Sequence, residues 1–170
     1  MRLSEYTDYS LRVLMYCAAH PDRLVTIAEL AIHHAVSKNH LMKVVNDLAR
    51  QGLLETTRGR GGGLRLLPKP ADIRVGDVVR RSETDFRLVE CFDAASNTCA
   101  LTAACRLKSV FGGALAAYFQ VLDGATLADI SGLATPASRP VAGVAALAAP
   151  GVKPVSAPVS RRRTAAKPAA

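Results

Sequence analysis

Between Ser4 and Ala19 the apolar residues Leu11, Leu14 and Ala18 fall on one helical face, and Ser4 stands where an N-cap hydroxyl belongs. The spacing predicts a first helix there, broken by Pro21-Asp22. Thr26-Ile27-Ala28-Glu29 has capping-box spacing and opens a short second helix through about His33. After a turn of three or four residues, Ser37 caps a third helix whose apolar residues Leu41, Val44, Val45 and Leu48 recur at i, i+3, i+4 and i+7. Gly52 sits where a glycine ends such a helix.

The pattern then changes period. Leu53–Thr57 and Leu64–Leu67 read as two short strands around the glycine-rich run Arg58-Gly59-Arg60-Gly61-Gly62-Gly63, and Pro68 and Pro70 close the unit. Helix, helix, turn, helix, hairpin is the order of a winged helix-turn-helix. Beyond it come a short helix around Val75–Arg81, a cysteine-bearing loop, and a heptad stripe of Leu107, Phe111, Ala114, Tyr118, Val121 and Ala125. That stripe suits a dimer helix or packing within its own domain, and Gly112-Gly113 inside it lowers helix propensity. Thr126–Ile130 reads as a short return helix. The expected fold is mainly α with a small β-hairpin wing, a winged helix-turn-helix followed by a long dimerisation helix. Its expected units are a DNA-binding region at 1–70, a cluster loop and dimer helix at 71–130, and a disordered tail at 131–170. Twelve alanines, six prolines and no aromatic residue in that last stretch cannot bury a core.

Charge sharpens this reading once it is placed. The chain carries a formal +8, but six basic residues and no acid lie in 131–170, which leaves +2 on the rest. Within the body, residues 38–69 hold a local +5, the footprint of a phosphate-backbone binder or of a solvated face. No run of about 18 apolar residues is present to span a bilayer, and the N-terminus does not resemble a secretory leader, so the expected location is the cytoplasm.

In a helix-turn-helix the second helix enters the major groove and its first residues meet base edges, here Ser37, Lys38, Asn39, His40 and Lys43. Asn pairs bidentately with adenine and Lys with guanine, so the residue types suit readout. On the wing, Arg58 and Arg60 suit a narrow minor groove. A nucleotide cradle fails as a rival, because Leu64 occupies a required glycine position and the loop leads into a strand. Cys91, Cys99 and Cys105 form the pattern C-x7-C-x5-C, whereas Cys17 lies in an apolar run and reads as a core residue. Zinc would favour C-x2-C pairs and a nearby fourth ligand, and all four histidines are N-terminal. A thiol-redox switch and an iron–sulfur cluster both stay open, the spacing favouring the cluster. No nucleophile–base or acid–base constellation is evident, so an enzyme is not expected.

Tyr6-Thr7-Asp8-Tyr9-Ser10-Leu11-Arg12, Ser37–Val45, Arg58–Leu66, Ile73–Val79, Cys105–Lys108 and Thr126–Asp129 resemble, in colinear order, the winged-helix iron–sulfur regulators of the IscR/NsrR type, and most closely their nitric-oxide-sensing repressors. The resemblance covers residues 1 to about 130. It implies a homodimer bound to a near-palindromic operator of double-stranded DNA. It also implies an iron–sulfur cluster, [4Fe-4S] rather than [2Fe-2S], on Cys91, Cys99 and Cys105, with a fourth ligand matching Asp8 from the partner subunit. Nitric oxide attacking that cluster would release the DNA and free genes of nitric-oxide detoxification. Lys108 departs from the pattern, since IscR-like members carry a histidine ligand there. The seven-residue cysteine gap is longer than in some relatives, which leaves the path of the loop open. Sensing of iron or cluster supply, and thiol-redox chemistry, are the rival functions.

Overall fold

The computed structural model describes residues 2–132. The tail expected from residue 131 therefore lies, from residue 133 onward, outside the described residues. Among these residues, six α-helices and one hairpin follow one another as α1 (Glu5–Ala19), α2 (Ile27–His34), α3 (Lys38–Arg50), β1 (Leu54–Thr57), β2 (Gly63–Leu66), α4 (Val75–Ser82), α5 (Arg106–Gly124) and α6 (Leu127–Ile130). The fold is a mostly helical winged helix-turn-helix, as the periodicity predicts.

Each of the first three helices begins where a side chain satisfies its free N–H groups. The Ser4 hydroxyl accepts from the Thr7 N–H at 3.2 Å, Thr26 and Glu29 form a reciprocal capping box, and Ser37 accepts from the His40 N–H. The α2–α3 turn runs through Ala35 in the left-handed region at φ +54°. At the far end of α3, Gly52 adopts φ +74°. The N–H of Leu53 reaches back to Leu48 O at 2.9 Å and that of Gly52 to Ala49 O at 3.0 Å, a Schellman termination that aims the chain directly into β1.

β1 and β2 pair antiparallel with Leu54 opposite Leu66 and Thr57 opposite Gly63. Val25 adds to their edge, exchanging hydrogen bonds with Leu64 at 2.9 and 2.8 Å. Gly63 is required there, because a Cβ would stand 2.7 Å from Val25 O. The wing is thus sewn to the connection between α1 and α2.

One core joins Leu14, Leu30, Leu41, Val44, Leu48 and Leu64 with Ile73, Val78 and Leu127. Leu127 comes from α6 and is 1% exposed. It is brought home by backbone pairing of two distant segments: Val75 N to Ala125 O at 3.0 Å and Leu127 N to Ile73 O at 2.8 Å. A second, smaller cluster of Val75, Val79 and Ala125 gathers Leu3, Leu11, Phe86, Phe119 and Leu122. Ala125 therefore does not continue the α5 stripe, as the heptad pattern expects. The helix ends one residue earlier and Ala125 turns inward.

α5 docks on α4 through Phe119 and a bidentate ion pair in which Arg80 meets Asp123 at 2.6 Å twice, its guanidinium lying 4.2 Å from the Phe119 ring centre. Among the described residues, none of the nineteen in α5 is buried. Leu107 and Val110 stand 56% and 64% exposed.

Candidate functional site

Four of the five large apolar residues of α3, Leu41, Val44, Val45 and Leu48, are buried against the core, which turns Lys38, Asn39, Met42, Lys43 and Asn46 outward and exposed. Ser37 is exposed as well, with its hydroxyl committed to capping. His40 is half-buried and meets Tyr9 of α1 edge-on, ring centres 5.0 Å apart. Sequence reasoning reached Lys43 but passed over Met42 and Asn46, which share the outward side of the helix. The step from Asn39 by three and by seven would have found them.

On the wing, Arg58 and Arg60 are exposed, flanked by Gly59 at φ +98° and Gly61 at φ +80°. The basic strip divides by partner. Arg65 pairs with Glu55 at 2.7 Å and Arg50 with Asp47 at 3.6 Å. Lys38, Lys43, Arg58 and Arg60 form no ion pair among the described residues. Those four keep their charge available for phosphate, and they flank the outward face of α3 or sit at the wing tip.

The cysteine loop leads from α4 to α5 through two 3₁₀ turns, Glu90–Phe92 and Thr102–Ala104. Its path is set by side-chain acceptors. Glu90 Oε1 accepts from both the N–H and the hydroxyl of Thr98, each at 2.6 Å, which holds its carboxyl below the usual range. Glu90 precedes Cys91 and Thr98 precedes Cys99, so one carboxylate closes the seven-residue gap. The Cys99 N–H then donates to Asn97 Oδ1 at 3.2 Å, and the Thr102 hydroxyl to Cys99 O at 2.8 Å. Asp93 ties down the gap itself, accepting from Ala95 N, the Ser96 hydroxyl and Arg87.

The result is a single cavity of about 220 Å³ that all three cysteines line, with Val89, Leu101 and Leu107 as its apolar wall and Glu90 and Lys108 at its margin. All three thiols are free. Among the described residues, no three His, Cys, Asp or Glu side chains converge tightly enough for one metal ion. Cys17 is apart from them in the core, its thiol pushed up to about 12 chiefly by burial.

Asp8 does not join the cysteines within one chain. It sits on α1, half exposed, and pairs with Arg12 at 2.7 Å. Its neighbours bind α1 to α3. The Tyr6 hydroxyl donates to Asp47 Oδ2, and Tyr9 packs on His40. Burial, followed by the Asp47 carboxylate, raises the Tyr6 pKa and keeps that phenol a donor. Asp8 thus lies between two contacts with the outward-reading helix.

Comparison with known proteins settles the family. The profile of Rrf2, described as iron-dependent transcriptional regulator, matches residues 3–132. The chain belongs to the Rrf2 family. Over 131 residues this Rrf2 protein is 53% identical to the HTH-type transcriptional regulator NsrR of Bacillus subtilis, covering 76% of the chain and 90% of that relative. It is 45% identical over the same length to protein aau3 of Rhizobium meliloti, covering 84% of it. Among solved structures, T. potens IscR matches with a TM-score of 0.63 at 26% identity, covering 82% of this chain and 93% of that one. CymR, the global cysteine regulator of B. subtilis, gives 0.63 at 22% identity over 79% and 99%, a likeness of fold. The motif resemblance to NsrR-type regulators therefore extends over the whole described body. This Rrf2 protein is a DNA-binding transcriptional regulator and not an enzyme. No helix among its described residues is long and apolar enough to cross a membrane.

Proposed function

We propose that the chain is a dimeric cytoplasmic repressor whose operator binding is governed by an iron–sulfur cluster that senses nitric oxide. The observation that carries this reading is the convergence of three free thiols on one apolar-walled cavity. Soft thiolates suit iron–sulfur chemistry, and a multi-iron cluster wants donors set wider than one ion does. Within the cavity, Glu90 is occupied by Thr98, and Lys108 stands where a histidine ligand would. The fourth donor must then come from elsewhere, and Asp8 of the partner subunit, as the resemblance implies, supplies an exposed carboxylate. When bound, the cluster supplies irons that react with nitric oxide.

The chain's own residues convert that event into a change at DNA. Held across the dimer, Asp8 fixes α1; released, its carboxylate has Arg12 one helical turn away to pair with. Because Tyr6 and Tyr9 seat α1 on Asp47 and His40, any shift of α1 is felt by α3. A differential of about 3 kcal/mol between the two states suffices for a roughly hundredfold change in affinity. Lys38, Asn39, Lys43, Arg58 and Arg60, with Ser37 and His40 at the start of α3, would meet the near-palindromic operator. A two-fold dimer through the α5 stripe matches such a site.

Anaerobic purification with an absorption spectrum and iron and sulfide counts tests the cluster. Nitric-oxide titration of operator binding, run beside chelator treatment, tests the signal. Substoichiometric nitric oxide is expected to release DNA before iron is lost. Release that simply follows iron loss in both arms would favour a sensor of cluster supply.

A further inference from the structure

Met42 is the one large apolar residue of α3 that the fold leaves uncovered. Leu41, Val44, Val45 and Leu48 are buried, whereas Met42 is 43% exposed and is not among the side chains packed against the core. It follows Asn39 by three residues and precedes Asn46 by four. At about 100° per residue these three share the outward side of the helix, with Lys43 next to them. A lone exposed methionine is ordinary on a protein surface. Here it stands amid amides and ammonium groups on the face that the winged-helix geometry turns to the major groove. Among the base edges in that groove one group is apolar, the C5-methyl of thymine.

We propose that Met42 determines sequence specificity by packing its thioether against the C5-methyl of one thymine in each operator half-site. The inference rests on the DNA-reading role proposed above and adds to it the base that an apolar side chain selects. The placement is firm because the backbone around Met42 is held from three sides. Ser37 caps the helix five residues before it, His40 is seated on Tyr9, and Asp47 is held by Tyr6. An unbranched thioether then adapts to the methyl without moving the helix.

The test uses the full-length, cluster-loaded protein. A pool of random-sequence duplexes is enriched by binding, and the recovered site becomes the probe. Each thymine is then replaced by deoxyuridine, which removes only the methyl group. At one thymine per half-site, wild-type affinity is expected to fall about three- to tenfold. For Met42→Ala the same replacement should change affinity less than about twofold, while Met42→Leu retains the dependence on the methyl. The wild-type arm stands alone should a variant fold poorly. If no thymine methyl matters to the wild type, or if Met42→Ala loses as much as wild type does, the proposal is overturned while DNA reading stands. If no sequence is enriched at all, the DNA-reading role falls and Met42's role with it.

Discussion

Asp8 is the residue on which the proposed trigger turns. As a cluster ligand it satisfies one iron that three sulfurs leave open; as an ordinary helix-start acid it is worth about 0.3–1 kcal/mol through the dipole. Asp8→Ala is expected to alter the anaerobic visible spectrum and shorten cluster lifetime under a chelator. A spectrum and lifetime identical to wild type would remove it from the site. Glu29 offers a test of the reading head alone. Hydrogen bonds from Arg23 and then Tyr16 hold its carboxyl down to about 2, from a usual 4.5. Its folded-state pKa is depressed, so its stabilisation is complete above about 4.5 and is lost as pH falls from there to about 2. The stability gap between wild type and Glu29→Gln, measured by urea unfolding, should be present near neutral pH and close across that window. A gap independent of pH would falsify the assignment. The hydroxyl caps, the capping box and the Gly52 stop were legible because each is a local rule. The roles of Tyr6 and Tyr9 were not, since both contacts join residues more than thirty positions apart, beyond any helical period.

Elements in this molecule differ in how much they owe to neighbours. The cysteine loop owes almost everything to its own acceptors, with Glu90 closing its widest gap. Glu90→Ala should leave the melting of the winged helix within about 0.5 kcal/mol of wild type, as a surface change does. The same change should speed iron loss and make Cys99 react faster with a thiol reagent in cluster-free protein. Glu90→Gln, whose carbonyl can still accept from Thr98, should restore most of the difference. Unchanged iron release in Glu90→Ala would leave the bracket without consequence. α5, by contrast, leaves Leu107 and Val110 uncovered among the described residues. Val110→Asp is expected to shift the protein from dimer to monomer in sedimentation without loss of helix content. A dimer of unaltered strength would move the interface off the exposed face that carries Leu107 and Val110. The heptad spacing made the stripe readable, yet it misplaced Ala125. A period-based reading cannot see that a backbone pairing with Val75 ends the helix and turns the residue inward.

At the scale of the whole molecule, the core does not follow chain order. Leu127 belongs to one core with residues of α1, α2 and α3 although the long helix separates it from them in sequence. Leu127→Ala should therefore cost about 2–5 kcal/mol, as truncation of a buried leucine does, and lower the single unfolding transition of the winged helix itself. A transition unaffected by the change would show α6 to be an appendage. The run Thr126–Ile130 reads as a short return helix, but nothing in its local spacing says where that helix returns to. The closure it provides bears on how the protein is made. A nascent chain halted within α5 already carries the recognition helix, the wing and the cysteines, yet its core lacks the side chain that seals it. Such a fragment is expected to open more readily than the whole chain and to be cut sooner by proteases. Completion of the core at Leu127 thus makes the stability of the reading head depend on synthesis of the chain through α6.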